Sequence, residues 1–196
     1  ALTLAFLDHD AYLSRFDVTV EEHAQVSAVC AGDGVTIPPG GTRHSATLRI
    51  DATRAVENAL PAVADAVGAR MDARVSEAAP TGWCSWYHYF TGVTDDDIRE
   101  NLDALDDWDV PVDVVQIDDG YETAFGDWRS LDEGFSDMRA LQTDIDEAGY
   151  QPGLWLAPFY VEGDSDLAKE HPEWLVTDGE GDPVDAGERH GPMHGI

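Results

Sequence analysis

The chain has 196 residues, with 11 Lys+Arg against 40 Asp+Glu and a formal net charge of −29. A surface this anionic repels phosphate backbones and anionic bilayers, so neither nucleic acid nor membrane is an expected partner, and no apolar run approaches the roughly 20 residues that span a bilayer. With 43% hydrophobic residues and six each of Trp, Tyr and Phe, the chain can bury a core and is not disordered.

Residues 1–50 read as β structure. Leu2, Leu4 and Phe6 alternate, as do Phe16, Val18 and Val20, then Val26, Ala28 and Cys30. That is the period of half-buried strands. Gly32-Asp33-Gly34 and Pro38-Pro39-Gly40-Gly41 are turn signals, after which Thr47-Leu48-Arg49-Ile50 alternates again. The stretch is expected to be the C-terminal part of an antiparallel β-sandwich domain, without chemistry of its own. Residues 51–79 change period. Val56, Leu60, Val63, Val67, Met71 and Val75 recur every three or four positions, which predicts a helical connector with this stripe buried. Pro61 is expected to break or kink it, or to start a second helix.

Residues 80–196 alternate strands and helices. Gly82–Trp86 is a short apolar run after a Pro-Thr-Gly turn. Thr94 is a natural N-cap, and Asp95, Asp96 and Asp97 complement the positive end of a helix that turns Ile98, Leu102 and Leu105 inward. Pro111 ends it. Val112, Val114, Val115 and Ile117 form a strand dense in β-branched residues, as buried parallel strands are. A second helix turns Met138, Leu141, Ile145 and Ala148 inward and stops at Gly149. Leu154-Trp155-Leu156-Ala157 is the third strand, stopped by Pro158. The remainder, from Ser165, reads as a short helix and then a loop. Strand, helix, strand, helix, strand predicts βαβ units on a parallel sheet; the order alone allows a doubly wound sheet or a (β/α)8 barrel.

Only Lys169 is a lysine among the basic residues, and Asp outnumbers Glu about two to one. This bias resembles proteins of salt-loving microbes, where screening shortens the Debye length to about 3 Å at 1 M and makes the charge tolerable. Cys30 and Cys84 match no metal spacing and no disulfide framework. Two buried free thiols in a reducing compartment are expected. No basic leader is visible before ALTLAFLDHD, where the true N-terminus is expected to be missing; the composition and free thiols make the cytoplasm at high KCl the expected location.

Two clusters carry chemistry. Gln116-Ile117-Asp118-Asp119-Gly120-Tyr121 ends the second strand with adjacent carboxylates. Ligands of parallel α/β folds sit at the carboxyl ends of strands, and a carboxylate there accepts hydrogen bonds from sugar hydroxyls. A helix N-cap or a plain surface acid is the alternative reading. Trp83, Trp86, Tyr87, Tyr89 and Phe90 cluster at the end of the first strand, where aromatic faces could stack on a pyranose ring. Core packing is the competing account for each of them, and for Trp155. His88 reads as structural. Arg189, His190 and His194 have a spacing open to metal, but a surface loop fits them better. Asp178–Asp182 lacks the ligand spacing and closing Glu of a calcium loop and reads as a turn. No metal and no cofactor is expected.

Five segments in order carry a family resemblance: GWCSWYHYF at 82–90, QIDDGYE at 116–122, GDW at 126–128, PGLWLAPF at 152–159 and HPEW at 171–174. Together they resemble the family 36 glycoside hydrolases, the microbial α-galactosidases, tightly over 80–175 and more loosely before. The resemblance implies an α/β fold in which the three strands open a (β/α)8 (TIM) barrel, preceded by the end of a β-sandwich domain. It implies that Asp118 and Asp119 bind the 4- and 6-hydroxyls of galactose, that Tyr87 and Trp155 line the galactose subsite, and that Trp83 and Trp86 are their neighbours. The implied partner is a galactose-containing oligosaccharide whose terminal α-1,6-linked galactose is hydrolysed with retention. Galactosyl transfer, α-N-acetylgalactosaminidase activity and a non-catalytic sugar-binding remnant are the alternatives, and a homo-oligomer is compatible with all of them. A retaining glycosidase needs two catalytic carboxylates about 5–5.5 Å apart. In the family these follow the fourth and sixth strands, so both are expected beyond Ile196. A whole barrel takes about 250 residues, so 80–196 is expected to be an incomplete barrel, inactive by itself.

Overall fold

The computed structural model describes residues 2–76, 78–108, 111–188 and 191–196. The chain divides into two units, Ala1–Glu77 and Ala78–Ile196.

In the first unit, β1 (Thr3–Phe6) pairs antiparallel with β4 (Leu48–Asp51), and β2 (Leu13–Val20) pairs antiparallel with β3 (Ala24–Ala31). Phe6 stacks on Phe16 at 4.9 Å, joining the two ladders. The alternation of β2 and β3 does not produce a buried face: Leu13, Val18, Val20 and Val26 are exposed. Helix α1 (Val56–Arg70) follows. It runs unbroken through Pro61, which corrects the expected break. Pro61 sits in the second turn, so its missing N–H forfeits one ladder bond near the start and the later turns form normally. The expected stripe is corrected as well. Ala59 is the buried residue, Val63 and Val67 are half-buried, and Val56, Leu60, Met71 and Val75 are exposed. The stripe is therefore covered only in part, at Val63 and Val67, beside the buried Ala59. Asp8 accepts from the Arg70 guanidinium and from the Thr47 N–H at 2.6 Å. These donors, Arg70 first, hold its carboxyl well below the usual range.

The second unit is built on a parallel sheet of β5 (Gly82–Cys84), β6 (Val114–Ile117) and β7 (Gln151–Leu154), in that order. Trp83 pairs with Val115, and Val115 with Pro152. After β5 come a short helix α2 (Trp86–Tyr89) and a 3₁₀ turn (Phe90–Gly92). The β5–β6 crossover is α3 (Asp95–Trp108) and the β6–β7 crossover is α4 (Met138–Glu147). One core joins Ile98, Leu102 and Leu105 of α3, Leu141 and Ile145 of α4, and Val115 and Ile117 of β6. Both helices therefore cover the face bearing Val115 and Ile117. Gln116, between them, points to the other side, because strand side chains alternate.

Local chemistry explains the helix boundaries. The Thr94 hydroxyl accepts from the Asp97 N–H at 3.2 Å, while the Asp97 carboxylate accepts from the Thr94 N–H at 2.9 Å. This is a reciprocal capping box with aspartate in the third position. Thr94→Ala should cost about 1 kcal/mol, seen as a melting temperature a few degrees lower; an unchanged melting temperature would show the cap to be idle. Asp137 caps α4, accepting from Arg139 and Ala140 N–H groups at 2.9 and 3.1 Å. Gly149 follows α4 with φ +92°, a left-handed stop that suits glycine. Ala148, expected inward, is exposed at this helix end.

The third strand lies three residues earlier than expected, over Gln151–Leu154 rather than Leu154–Ala157. The Gln151 and Trp155 N–H groups donate to Asp113 and Ile117 carbonyls at 2.8 and 2.9 Å. The donors to β6 sit at odd positions, so the Pro152 nitrogen points away from β6 and its lack of an N–H does not interrupt the ladder. The expected C-terminal loop is also corrected. β8 (Tyr160–Glu162), α5 (Asp166–Glu170), a 3₁₀ turn (Pro172–Trp174), β9 (Asp185–Glu188) and β10 (Pro192–Gly195) follow, with an antiparallel sheet in the order β8-β10-β9. These strands are three or four residues long, and β9 and β10 include Gly or Pro, so they carry no readable period.

Candidate sugar-binding site

β6 ends in Ile117, and Asp118 and Asp119 follow at its carboxyl end, both buried. Asp118 is held from several sides. Its N–H donates to the buried Ser85 Oγ at 2.9 Å. Its Oδ2 accepts from Gln116 Nε2 at 2.8 Å and from the Cys84 thiol at 3.2 Å, and its Oδ1 from the Asp119 N–H at 2.9 Å. Burial, first, and then the Asp118 carboxylate push the Cys84 thiol up, so it stays protonated and donates.

The chain leaves the aspartates through Gly120, at φ +119°. A Cβ there would lie 2.6 Å from the Thr91 carbonyl oxygen, so the loop after β6 presses on the loop after β5. Beside that contact Phe90 takes φ +51°, a left-handed outlier for a bulky residue. The buried Tyr121 donates through its hydroxyl to the Trp155 carbonyl at 3.2 Å. Burial, then the neighbouring Glu122 and Asp119, raise the Tyr121 pKa, which preserves that donor. Trp155 is fixed further by Phe125 at 5.4 Å and Trp128 at 6.3 Å. Asp127, in the same loop, accepts from the Asp166 and Leu167 N–H groups at 2.9 and 3.0 Å and ties α5 to it.

The result is a cleft of about 490 Å³ lined by Cys84, Trp86, Tyr87, Gln116, Asp118, Asp119 and Trp155. Five residues singled out in the sequence meet there: Asp118, Asp119, Trp86, Tyr87 and Trp155. Tyr87 is 87% exposed, so its ring serves no core. Trp83 does not join them. It packs against the hydrophobic core and borders an adjoining cleft with His88, Tyr89 and Asn101. The reason is parity: Trp83 and Cys84 are neighbours in a strand, so they face opposite sides. Tyr89 is half-buried and packs against the core too, its hydroxyl accepting from Asn101 at 2.7 Å. Cys84 and Gln116 were not among the expected site residues. The signal for Gln116 was its spacing of two from Asp118; Cys84 is found only through its pairing with Gln116 across the sheet.

Among the described residues, no group of three or more His, Cys, Asp or Glu could hold a metal ion. His194 lies in β10, not in a loop, with a buried Nδ1 that has no hydrogen-bond partner; Arg189 and His190 lie outside the described residues. Asp178 Oδ1 accepts from the N–H groups of Glu180, Gly181 and Asp182 at 2.8–3.1 Å, a side-chain-closed turn, as read. Both cysteines are free but half-buried, where buried thiols were expected. Among the described residues, no helix is long and apolar enough to cross a membrane.

Fold and site together define an α/β unit with a carboxylate-and-aromatic cleft at parallel strand ends. Residues 80–188 match the melibiase family model. The chain belongs to that family, within the family 36 glycoside hydrolases. It is 32% identical to TtGalA, an α-galactosidase of Thermus thermophilus solved in complex with stachyose, with a TM-score of 0.71 over 100% of this chain and 38% of that one. It is 30% identical over 102 residues to the bifunctional α-galactosidase/sucrose kinase AgaSK of Mediterraneibacter gnavus, and 36% identical over 106 residues to the A type blood α-D-galactosamine galactosaminidase of Flavonifractor plautii. These matches span 48% and 52% of this chain, and 10% of each relative.

Proposed function

We propose that this chain supplies the galactose-binding part of a retaining α-galactosidase acting on terminal α-1,6-linked galactose, as in raffinose-type oligosaccharides. Asp118 and Asp119 accept hydrogen bonds from the 4- and 6-hydroxyls, and Tyr87 and Trp155 wall the ring. The observation that carries the reading is the pairing of two buried carboxylates with an exposed tyrosine and a pinned tryptophan in one strand-end cleft. The likeness to TtGalA, solved with stachyose, supports the same reading. Bond cleavage is assigned to none of these residues.

In the same reading, β5, β6 and β7 with α3 and α4 are the first units of a (β/α)8 barrel over 80–196. Helices on one face only support a barrel over a doubly wound sheet, whose helices lie on both. Residues 1–50 belong to a β-sandwich domain and 51–79 connect the two. The acidic, lysine-poor surface is an adaptation to high salt, and the protein works in a salt-rich cytoplasm.

Calorimetric titration of the natural protein that carries this sequence, in high KCl, tests the proposal. Galactose should bind and raise the melting temperature, while its 4-epimer glucose should do neither. Equal binding of the two sugars, or of neither, would overturn the assignment.

A further inference from the structure

The Asp118 carboxylate accepts from three protein donors, and they are distributed unevenly. An ionised carboxylate offers about four lone-pair sites, two on each oxygen. On Oδ2 both are taken, by Gln116 Nε2 at 2.8 Å and by the Cys84 thiol at 3.2 Å. On Oδ1 one is taken, by the Asp119 N–H at 2.9 Å. Gln116 Nε2 also lies 3.6 Å from Cys84 Sγ, so the two donors brace each other.

We infer that Cys84 and Gln116 are positioning residues that saturate Oδ2, so that Asp118 offers a sugar a single acceptor, on Oδ1, and meets only one hydroxyl. The inference rests on the galactose reading above and refines it: the other hydroxyl of the pair must be met elsewhere in the cleft. Cys84 acts here as a donor and not as a nucleophile. Its raised pKa keeps the proton that the hydrogen bond needs. Its place on β5, opposite Gln116 on β6, means that the sheet register itself sets the orientation of the carboxylate. Orientation fixed before the ligand arrives lowers the entropy lost on binding.

The test pairs variants with deoxy sugars, by calorimetry on the natural protein that carries this sequence. Galactose, 4-deoxygalactose and 6-deoxygalactose are titrated against the parent, Asp118→Asn, Cys84→Ala, Cys84→Ser and Gln116→Leu. For one deoxy sugar only, Asp118→Asn should cause no further loss, since its single partner hydroxyl is already gone. Cys84→Ala should weaken galactose binding about fivefold, the worth of one hydrogen bond. Cys84→Ser, which keeps an O–H donor, should restore it to within about twofold; a merely structural cysteine would show no such rescue. Melting temperatures are recorded for each variant, and where Gln116→Leu unfolds, the Cys84 pair decides. If Asp118→Asn weakens galactose binding while Cys84→Ala and Gln116→Leu leave it intact, the positioning role is wrong and the galactose site stands. If both deoxy sugars still lose affinity on Asp118→Asn, Asp118 meets both hydroxyls and the single-acceptor count is wrong. If Asp118→Asn itself leaves galactose binding unchanged, the site assignment fails, and the positioning role with it.

Discussion

Asp118→Asn should lower kcat/KM for an aryl α-galactoside roughly 10- to 150-fold in the natural protein that carries this sequence. The magnitude follows from losing one charge-assisted hydrogen bond to the sugar, about 1.5–3 kcal/mol. The change is nearly isosteric and the N–H of residue 118 can still donate to Ser85, so the fold should hold; the Asp119 N–H loses its acceptor, and the melting temperature should fall by a few degrees at most. The amide also presents an N–H₂ group where Gln116 and Cys84 already donate, so it must turn its oxygen toward them and its donors toward the sugar. That orientation replaces an acceptor with a donor at the place a hydroxyl proton would occupy. Unchanged kcat/KM with an intact melting temperature would remove Asp118 from the substrate site.

Gly120→Ala should harm both stability and activity. Two penalties coincide at this position. The backbone sits at φ +119°, which an L side chain rarely adopts, and the new Cβ would meet the Thr91 backbone at 2.6–2.8 Å. Backbone cannot swing aside as a flexible side chain can. The loop carrying Asp119 must move, and with it the cleft. Gly149→Ala separates the two terms, because Gly149 has φ +92° with nothing within 4 Å of the added carbon. It should show only the conformational cost, about 1 kcal/mol. Gly120→Ala should exceed that and should also reduce kcat/KM at least tenfold, as about 1.4 kcal/mol of lost positioning would. Equal melting temperatures for the two variants, with activity kept, would show that the loops are not pressed together as described.

The parts of this molecule legible from sequence are those whose physics is local. The Thr94 cap, the Ile98-Leu102-Leu105 face of α3, the Leu141 and Ile145 face of α4, and the Gly149 stop all depend on residues within a turn or two of each other. The Asp118-Asp119 pair was found because a β-branched strand leads straight into it, and strand ends are where parallel folds place ligands. β8, β9 and β10 were not legible, because strands of three or four residues have too little length to show a period and form only by pairing with one another.

By itself, the sequence determined the strand–helix alternation of the parallel sheet, the Thr94 cap and the Gly149 stop, the carboxylate pair and the family. Only the tertiary structure decided which side of each residue matters. Trp83 and Cys84 look like an aromatic site residue and a buried thiol when read along the chain. Placed in β5, with both helices covering the opposite face, they exchange roles: the tryptophan packs on the core and the thiol turns to Asp118. The physical reason is that a strand's period of two sorts neighbours onto opposite faces, but which face becomes core is set by where the crossover helices pack, tens of residues away.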